Sequence, residues 1–230
     1  MSLTPGTLRR RYQRFFAEVE LDDGTVVVAH CANPGSMKGC AAVGDRVWLS
    51  RSDNPARKLA WTWELVLHDH GLVCVNTAVG NRVVGAALAA GAIAEIAGYS
   101  ELTREVPFGA SRIDFRLARG PRRRDELWLE VKTATMHVGA GVVAFPDAVS
   151  TRALRHVGEL VTLRRRGARA MLLFCVARAG AVAVRPADEI DPAYGAALRA
   201  AITAGVEVVA YGCEVGVDGV TLTTRLPVIT

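Results

Sequence analysis

The hydrophobic and polar residues of the first 80 positions alternate in short runs that turn signals separate. Alternation over four to eight residues predicts strands with one buried face. The runs are RFFAEVEL (14–21), TVVVAHC (25–31), DRVWLSRS (45–52), LAWTWELVLHD (59–69) and GLVCVNT (71–77). Short strands this closely spaced, in about 70 residues, predict a small barrel, and the size favours an OB-like barrel.

The hydrophobic period changes near Asn81, which divides the chain into a first domain at 1–80 and a second at 81–230. Asp191 is the expected N-cap of a late helix, with Pro192 as its first residue. The predicted elements are a helix (81–98), three strands (101–108, 111–118, 126–134), a helix (151–168), a strand (169–178), a helix (191–205) and a strand (206–216). This order predicts an α/β domain with a central mixed sheet.

The composition excludes several classes of protein. Half of the 230 residues are hydrophobic and 22% are charged, as in globular proteins. The longest apolar run, VVGAALAAGAIA (83–94), is too short for a membrane span, and no apolar segment follows the basic N-terminal residues. We therefore expect a cytoplasmic protein with no membrane partner. The five cysteines form no CxxC pair, which argues against a disulfide framework and a cysteine zinc site.

Two opposite charges interrupt the apolar strand LWLEVKTAT (127–135). Its leucines and Val131 alternate onto one face, whereas Glu130 and Lys132 share the other face. Lys132 is one of three lysines among 28 basic residues. A lysine in an arginine-dominated chain is consistent with a need for a compact charge whose pKa can shift.

A second carboxylate lies one strand earlier, in SRIDFRLA (111–118). The Gly/Pro connection ARGPRRRDE (118–126) allows a hairpin, so Asp114 and Glu130 are expected on adjacent strands and on the same face. Two such carboxylates repel each other, and burial makes each costly to ionise. A bound Mg²⁺ or Mn²⁺ resolves both problems, and Lys132 would orient a water or neutralise charge on a phosphate. The alternative is a surface salt bridge at the end of a hairpin.

The pattern Asp114…Glu130-Val131-Lys132 resembles the PD-(D/E)xK nucleases of the restriction-endonuclease-like superfamily. Longer stretches resemble the sugar fermentation stimulation protein A (SfsA) family: AHCANPGSMKG (29–39), NPARKLAWTWEL (54–65), SRIDF (111–115), EVKTAT (130–135), FPDAVSTRALRH (145–156) and LPV (226–228). The resemblance covers essentially the whole chain. It implies an N-terminal OB-like nucleic-acid-binding domain, a C-terminal nuclease-like domain and DNA binding.

The sequence departs from the family pattern at two positions. Ala32 replaces the proline that usually follows His-Cys in the family. Ala86 stands in a helix where many relatives have an acid, and a helix acid often supports the metal in nucleases of this class. Glu105 or Glu95 would then take that role, and Glu105 is preferred as the further metal ligand because its strand lies beside that of Asp114.

The N-terminal domain offers two groups of residues to a nucleic acid. In the AHCANPGSMKG loop, Asn33, Ser36 and Lys38 are expected to contact phosphate, and a purely structural loop is the alternative. Arg57 and Lys58 precede a strand that carries two tryptophans, at 61 and 63. Basic residues beside aromatic ones fit the binding of a single strand, whereas core packing is the commoner use of the tryptophans.

The second domain adds further contacts. Arg152 and His156 lie on one side of the helix after FPDA and are expected to line the site, with a solvated helix face as the alternative. Arg112 and the arginines of the 118–126 turn are expected to bind the DNA strand. Asp147 of FPDA follows the ExK pattern in the chain, so it is not the pattern's first acid, and we expect it to bound its loop or to touch a ligand.

These residues support two functions. The first is a DNA-binding protein with a Mg²⁺-dependent phosphodiesterase site, in which Asp114 and Glu130 hold the metal and Lys132 positions the attacking water. The second is a non-catalytic DNA-binding regulator on a nuclease-like scaffold, which Ala86 favours. The expected partner is single- or double-stranded DNA. The sequence neither requires nor excludes a homodimer.

Overall fold

The computed structural model describes residues 2–68, 71–120 and 125–230, and its N-terminal part is a closed barrel. The strands are β1 (Thr4–Tyr12), β2 (Phe16–Leu21), β3 (Val26–Cys31), β4 (Arg46–Arg51), β5 (Trp61–His68) and β6 (Gly71–Cys74). Strands β3, β2, β1, β4 and β5 pair as antiparallel neighbours in that order, and β3 pairs with β5 in parallel to close the barrel. The predicted OB-like barrel is confirmed.

Strand β1 does not follow from the hydrophobic pattern. Gly6 and Leu8 are its buried residues, and the three arginines at 9–11 follow directly. A strand with so few core-facing side chains gives almost no alternation signal. Its partners define it instead, because it pairs with β2 on one side and with β4 on the other.

The second part of the chain is a layered α/β domain. Its helices are α1 (Ala78–Ala89), α2 (Thr151–Arg165) and α3 (Pro192–Thr203), and a 3₁₀ turn covers Ala94–Ile96. Its strands are β7 (Glu101–Phe108), β8 (Ser111–Ala118), β9 (Glu126–Ala134), β10 (Met136–His137), β11 (Val142–Phe145), β12 (Arg169–Val176), β13 (Ala183–Pro186), β14 (Glu207–Gly216) and β15 (Gly219–Leu226). The predicted α/β class is confirmed.

The main sheet is mixed, as the sequence predicts. Its order is β15-β14-β12-β9-β8-β7, with β9, β12 and β14 parallel at the centre and antiparallel hairpins at both edges. Strands β10, β11 and β13 form a separate small sheet. The sequence pattern predicts β7, β8 and β9 with these bounds, but it does not predict β10, β11, β13 or β15, which are short or rich in polar residues.

Helix α1 ends at Ala89, earlier than the predicted end at Gly98. The C-cap is Ala90, and Gly91 follows with a left-handed φ of 67°. A left-handed residue after the C-cap ends a helix, and glycine adopts that conformation without steric cost. The Ala-rich composition of 81–98 hides this stop because it keeps helix propensity high beyond it.

The helices cover both faces of the main sheet. Helix α1 packs on the face that carries Leu127 and Leu129 of β9, and α2 and α3 pack on the opposite face. Glu130 and Lys132 therefore face the side of α2. Asp191 caps α3 as predicted, since its carboxylate accepts a hydrogen bond of 3.0 Å from the Tyr194 N–H.

The five cysteines are buried free thiols. None of the helices in the described part of the chain is both long and apolar enough to cross a membrane.

Candidate active site

A cleft of about 510 Å³ opens between the barrel and the layered domain. Arg14 and the Asn33–Gly35 segment line it on the barrel side. On the other side it is lined by the segment from Phe145 to Ser150 and by Arg152. The remaining walls include the three predicted charged residues, Asp114, Glu130 and Lys132, together with Asn81. The structure thus brings Asp114, Glu130 and Lys132 together.

Asp114 lies where strands β8 and β9 separate. Their ladder ends at the pair Phe115–Leu129, and the next residue, Asp114, accepts a hydrogen bond of 2.7 Å from the Val131 backbone N–H through its side chain. The amide of Asn81 donates a second hydrogen bond, of 2.6 Å, to Asp114 Oδ1. The carboxylate is therefore fixed from both β9 and α1.

Asn81 reaches Asp114 because α1 lies very close to β9. A Cβ atom built on Gly80 would be 2.1 Å from Thr133 Oγ1, so only glycine permits this approach. Asn81 is a site residue that the sequence does not identify. It begins the predicted helix, but no local pattern indicates that its amide faces a carboxylate 33 residues later.

Glu130 is held in a buried position on the central strand β9. Glu130 is 2% exposed, and its Oε1 accepts a hydrogen bond of 2.7 Å from Lys132 Nζ. The same oxygen is in short contact with His156 Nδ1, and an ionised carboxylate can only accept, so the imidazole N–H donates. Glu130 Oε2 is buried and has no hydrogen-bond partner within the described ranges.

The two carboxylates have opposite pKa shifts. Burial raises the pKa of Asp114 to about 6, the charge of Glu130 adds to the rise, and the bonds from Val131 and Asn81 oppose it. Burial also disfavours ionised Glu130, but the bond from His156 and the charge of Lys132 outweigh it, so the pKa of Glu130 lies below its usual value. Glu130 is thus the more acidic of the pair in the metal-free protein.

The barrel side of the cleft is a loop held by Arg11. Its guanidinium donates to the carbonyl oxygens of Asn33 and Gly35, both at 2.9 Å. Asp147, from the opposite wall, accepts a hydrogen bond of 3.0 Å from the Met37 N–H. Gly35 lies so close to this carboxylate that an added Cβ would be 2.2 Å from Asp147 Oδ1. Asp147 thus joins the two domains at the edge of the cleft.

Two predicted nucleic-acid-binding residues line the cleft, namely Asn33 and the exposed Arg152. Four others lie on the surface away from the cleft. Ser36 and Lys38 are exposed and line a separate groove on the outer side of their loop. Arg57 and Lys58 are exposed on a barrel loop, where Arg57 donates to Thr62 Oγ1 at 2.7 Å.

His156, Arg112 and the two tryptophans also lie in environments that differ from those expected of residues that contact a nucleic acid. His156 is 2% exposed and contacts Glu130, so its environment is that of a buried partner of the carboxylate and not of a surface contact for DNA. Arg112 is exposed on β8 and does not line the cleft. Trp63 is fully buried in the barrel core, and Trp61 packs against that core, which favours the core-packing alternative for both.

The predicted third carboxylate is not brought to the cleft. The register of β7 and β8 places Glu105 opposite Asp114, but Glu105 has a left-handed φ of 53° and is exposed. Glu95 instead contacts Arg225 and accepts a hydrogen bond of 2.6 Å from the Tyr211 hydroxyl. Ala86 is exposed on α1 and does not line the cleft, so an acid at this position would not join the pair.

Part of the arginine-rich turn falls outside the described residues, namely Arg122, Arg123 and Arg124. Arg119, before them, pairs with Asp125 at 3.2 Å and lies 4.7 Å from the centroid of the Tyr99 ring. These two contacts give Arg119 a structural role at the start of the turn.

Two family models match the chain. The model described as "SfsA N-terminal OB domain" matches residues 10–75, and the model described as "Sugar fermentation stimulation protein RE domain" matches residues 78–219. Helix α1 begins at Ala78, so the two matches adjoin between the barrel and the layered domain.

Relatives match over nearly the full length. A sugar fermentation stimulation protein homolog of Pseudomonas aeruginosa is 53% identical, and the match covers 98% of this chain and 97% of the relative. A homolog of Geobacter sulfurreducens is 50% identical, with coverage of 99% and 96%. The solved structure of Pyrococcus furiosus SfsA in complex with Ca²⁺ matches with a TM-score of 0.90 at 24% identity, covering 100% of this chain and 98% of that one. At this identity the structural match shows the fold alone.

Proposed function

The chain belongs to the sugar fermentation stimulation protein family, and from this membership and the geometry of its cleft we propose that it is a metal-dependent nucleic-acid phosphodiesterase. The observation that carries the proposal is the state of Glu130. One of its oxygens is held by Lys132 and His156, and the other is buried with no partner in the described part of the chain. A buried, ionised oxygen without a hydrogen bond is costly unless a cation or a water satisfies it.

The residues fit a hard divalent cation. Mg²⁺ and Mn²⁺ accept carboxylate oxygens, and Mg²⁺ typically keeps several waters and takes one or two carboxylates. Asp114 and Glu130 supply two carboxylates at one cleft. Over the described residues, no three His, Cys, Asp or Glu side chains are placed to hold one ion together, which disfavours a closed zinc site. The Ca²⁺ of the Pyrococcus furiosus protein is another oxygen-preferring cation and supports the same assignment.

The chemistry expected of such a cation is the polarisation of a phosphate oxygen and the acidification of a bound water. Lys132 contributes a fixed positive charge. Its side chain is 11% exposed and its Nζ is 2.7 Å from Glu130 Oε1, so the ammonium is held between a ligand carboxylate and the cleft. One N–H is used by Glu130, and another is free to hold an attacking water or a phosphate oxygen.

His156 is a positioning residue in this proposal. It fixes the rotamer of Glu130 by donating its Nδ1 hydrogen to Oε1, which keeps Oε2 available for the cation. Arg14 and Arg152 bring positive charge to the cleft from the two domains. Guanidinium groups bind phosphates through paired hydrogen bonds, so these two arginines are suited to the phosphates flanking the cleaved bond.

The test is cleavage of labelled single- and double-stranded DNA in Mg²⁺ or Mn²⁺, with EDTA as the blank. Wild-type protein is expected to cut, and Lys132→Ala is expected to lose on the order of 100-fold or more in rate. Arg165→Ala is the matched control, since Arg165 is exposed at the far end of the helix that carries Arg152. No cleavage by the wild type, or equal cleavage by Lys132→Ala, would overturn the proposal.

A non-catalytic DNA-binding regulator is the competing function, and it predicts salt-sensitive binding without cleavage. The feature that favours it in the sequence is Ala86. Because Ala86 is exposed and lies away from the cleft, it gives no reason to expect an inactive site. The cleavage assay decides between the two functions.

A further inference from the structure

The turn between β1 and β2 has an unusual backbone. Gln13 and Arg14 are consecutive non-glycine residues with left-handed φ angles of 47° and 63°. Side chains disfavour this conformation, so other contacts must hold it. The Cys31 N–H donates to the Phe15 carbonyl at 2.8 Å, and Arg11 donates to the Arg14 carbonyl at 2.8 Å. The turn is therefore fixed in a conformation that local sequence preference would not choose.

The same turn carries a group of aromatic side chains on the barrel surface. The rings of Tyr12 and Phe16 stack with centroids 5.4 Å apart and an interplanar angle of 17°. The Arg10 guanidinium lies 4.9 Å from the centroid of the Tyr12 ring. Phe15 is 46% exposed, which is unusual for a large apolar ring. We call residues 12–16 the aromatic turn.

The aromatic turn is continuous with the cleft. Arg14 lines the cleft beside Asn33, and Phe15 is the next residue along the chain. Glu18 and Glu20 lie on the neighbouring strand, and both are neutralised by ion pairs with Arg10 and Arg9, at 2.8 Å each. Each ion pair has no net charge, and Arg14 adds a positive charge at the cleft, so this surface combines an exposed aromatic ring with positive charge. That combination binds unpaired bases and their phosphates.

We propose that the aromatic turn is a base-stacking platform that selects single-stranded nucleic acid for the cleft. The proposal rests on the proposed function, which places a phosphate of the nucleic acid next to Asp114 and Glu130. A nucleotide adjoining that phosphate would pass Arg14 and stack its base on the aromatic turn. The bases of a duplex are stacked on each other, so a duplex offers no free face to Phe15 unless it opens.

The test measures dissociation constants by fluorescence anisotropy for a labelled oligothymidylate and for a blunt duplex. EDTA prevents cleavage, so binding is measured independently of the nuclease reaction. Wild-type protein is expected to prefer the single strand, and Phe15→Ala is expected to weaken that binding about tenfold while leaving the duplex unaffected. Val43→Ala removes a 75%-exposed apolar side chain elsewhere on the barrel and is expected to bind as the wild type.

Two further variants separate stacking from other uses of an apolar surface, such as contact with a protein. Phe15→Trp keeps a flat ring and should retain single-strand affinity, whereas Phe15→Leu keeps the apolar surface without a ring and should lose it. Unchanged affinity in Phe15→Ala, equal losses for both nucleic acids, or full affinity in Phe15→Leu would overturn the proposal. If the wild type cuts DNA while Phe15→Ala binds single strands normally, the platform fails and the nuclease stands. If nothing is cut but Phe15→Ala loses single-strand binding, the nuclease fails and the platform stands.

Discussion

Asn81 donates a hydrogen bond of 2.6 Å to Asp114 Oδ1 and so links helix α1 to the strand that carries the first acid of the site. The partner of this acid on the helix is a neutral amide. An amide stabilises the ionised carboxylate without the repulsion that a third acid would add. The helix therefore supports the site from the first turn of α1 and not from the exposed position of Ala86.

Asn81→Ala is expected to weaken metal binding about tenfold, because removing the partner of a ligand typically costs 10- to 100-fold in affinity. The variant should also lose about 1 kcal/mol of unfolding free energy from the missing hydrogen bond. Titration calorimetry with Mn²⁺ and urea denaturation measure the two effects. The control is Ala86→Glu, which adds an acid on the same helix and should bind Mn²⁺ as the wild type does. A higher Mn²⁺ affinity in this control would contradict the position of Ala86 away from the cleft.

His156→Ala is expected to destabilise the protein by about 3 kcal/mol, because it removes one partner of a buried charge. His156 and Glu130 are both 2% exposed, so water does not replace the lost contact well. Glu130→Gln should suppress most of this loss in a double-mutant cycle, since the charge is then absent. Additive effects of the two substitutions would show that the contact does not stabilise the fold.

Asp114 makes the stability of the metal-free protein depend on pH. Burial raises its pKa from 3.8 in the unfolded chain to about 6 in the fold, so the folded state binds this proton more tightly. The resulting stabilisation is complete below pH 3.8 and is lost as pH rises through about 6. At pH 7.5 in EDTA, Asp114→Asn should therefore be more stable than the wild type, by at most about 3 kcal/mol.

Urea denaturation at several pH values measures this difference. The advantage of Asp114→Asn should shrink as pH falls from 7.5 to 4, because the wild-type carboxyl then gains its proton. An advantage that does not change with pH would contradict the assignment of the raised pKa to Asp114.

Gly35→Ala tests the contact that joins the domains at the cleft. The added Cβ would be 2.2 Å from Asp147 Oδ1, so the loop must move and the bond from the Met37 N–H must lengthen. We expect a loss of about 1–3 kcal/mol in unfolding free energy. Gly158→Ala is the control, since no neighbouring atom lies within 4 Å of the added Cβ in helix α2, and it should be neutral or stabilising.

The sequence predicts the centre of the site because that part is local. Alternation on β9 places Glu130 and Lys132 on one face, and the hairpin places Asp114 beside them. The contacts of Asn81 and His156 depend on how α1 and α2 pack on the sheet, which no local pattern encodes. Glu105 illustrates the limit of alternation, because β7 is an edge strand whose residues 101–105 are all exposed, and Glu105 also has a left-handed φ. The tryptophans at 61 and 63 fill or border the barrel core, whereas Phe15 carries an exposed aromatic ring.

The central claim is that Asp114 and Glu130 hold a divalent cation at the cleft. The most direct measurement is calorimetric titration of the metal-free protein with Mn²⁺, for the wild type and for Asp114→Asn. The account predicts saturable binding to the wild type and an affinity at least tenfold lower in the variant. No binding to the wild type, or equal affinity in Asp114→Asn, would contradict it.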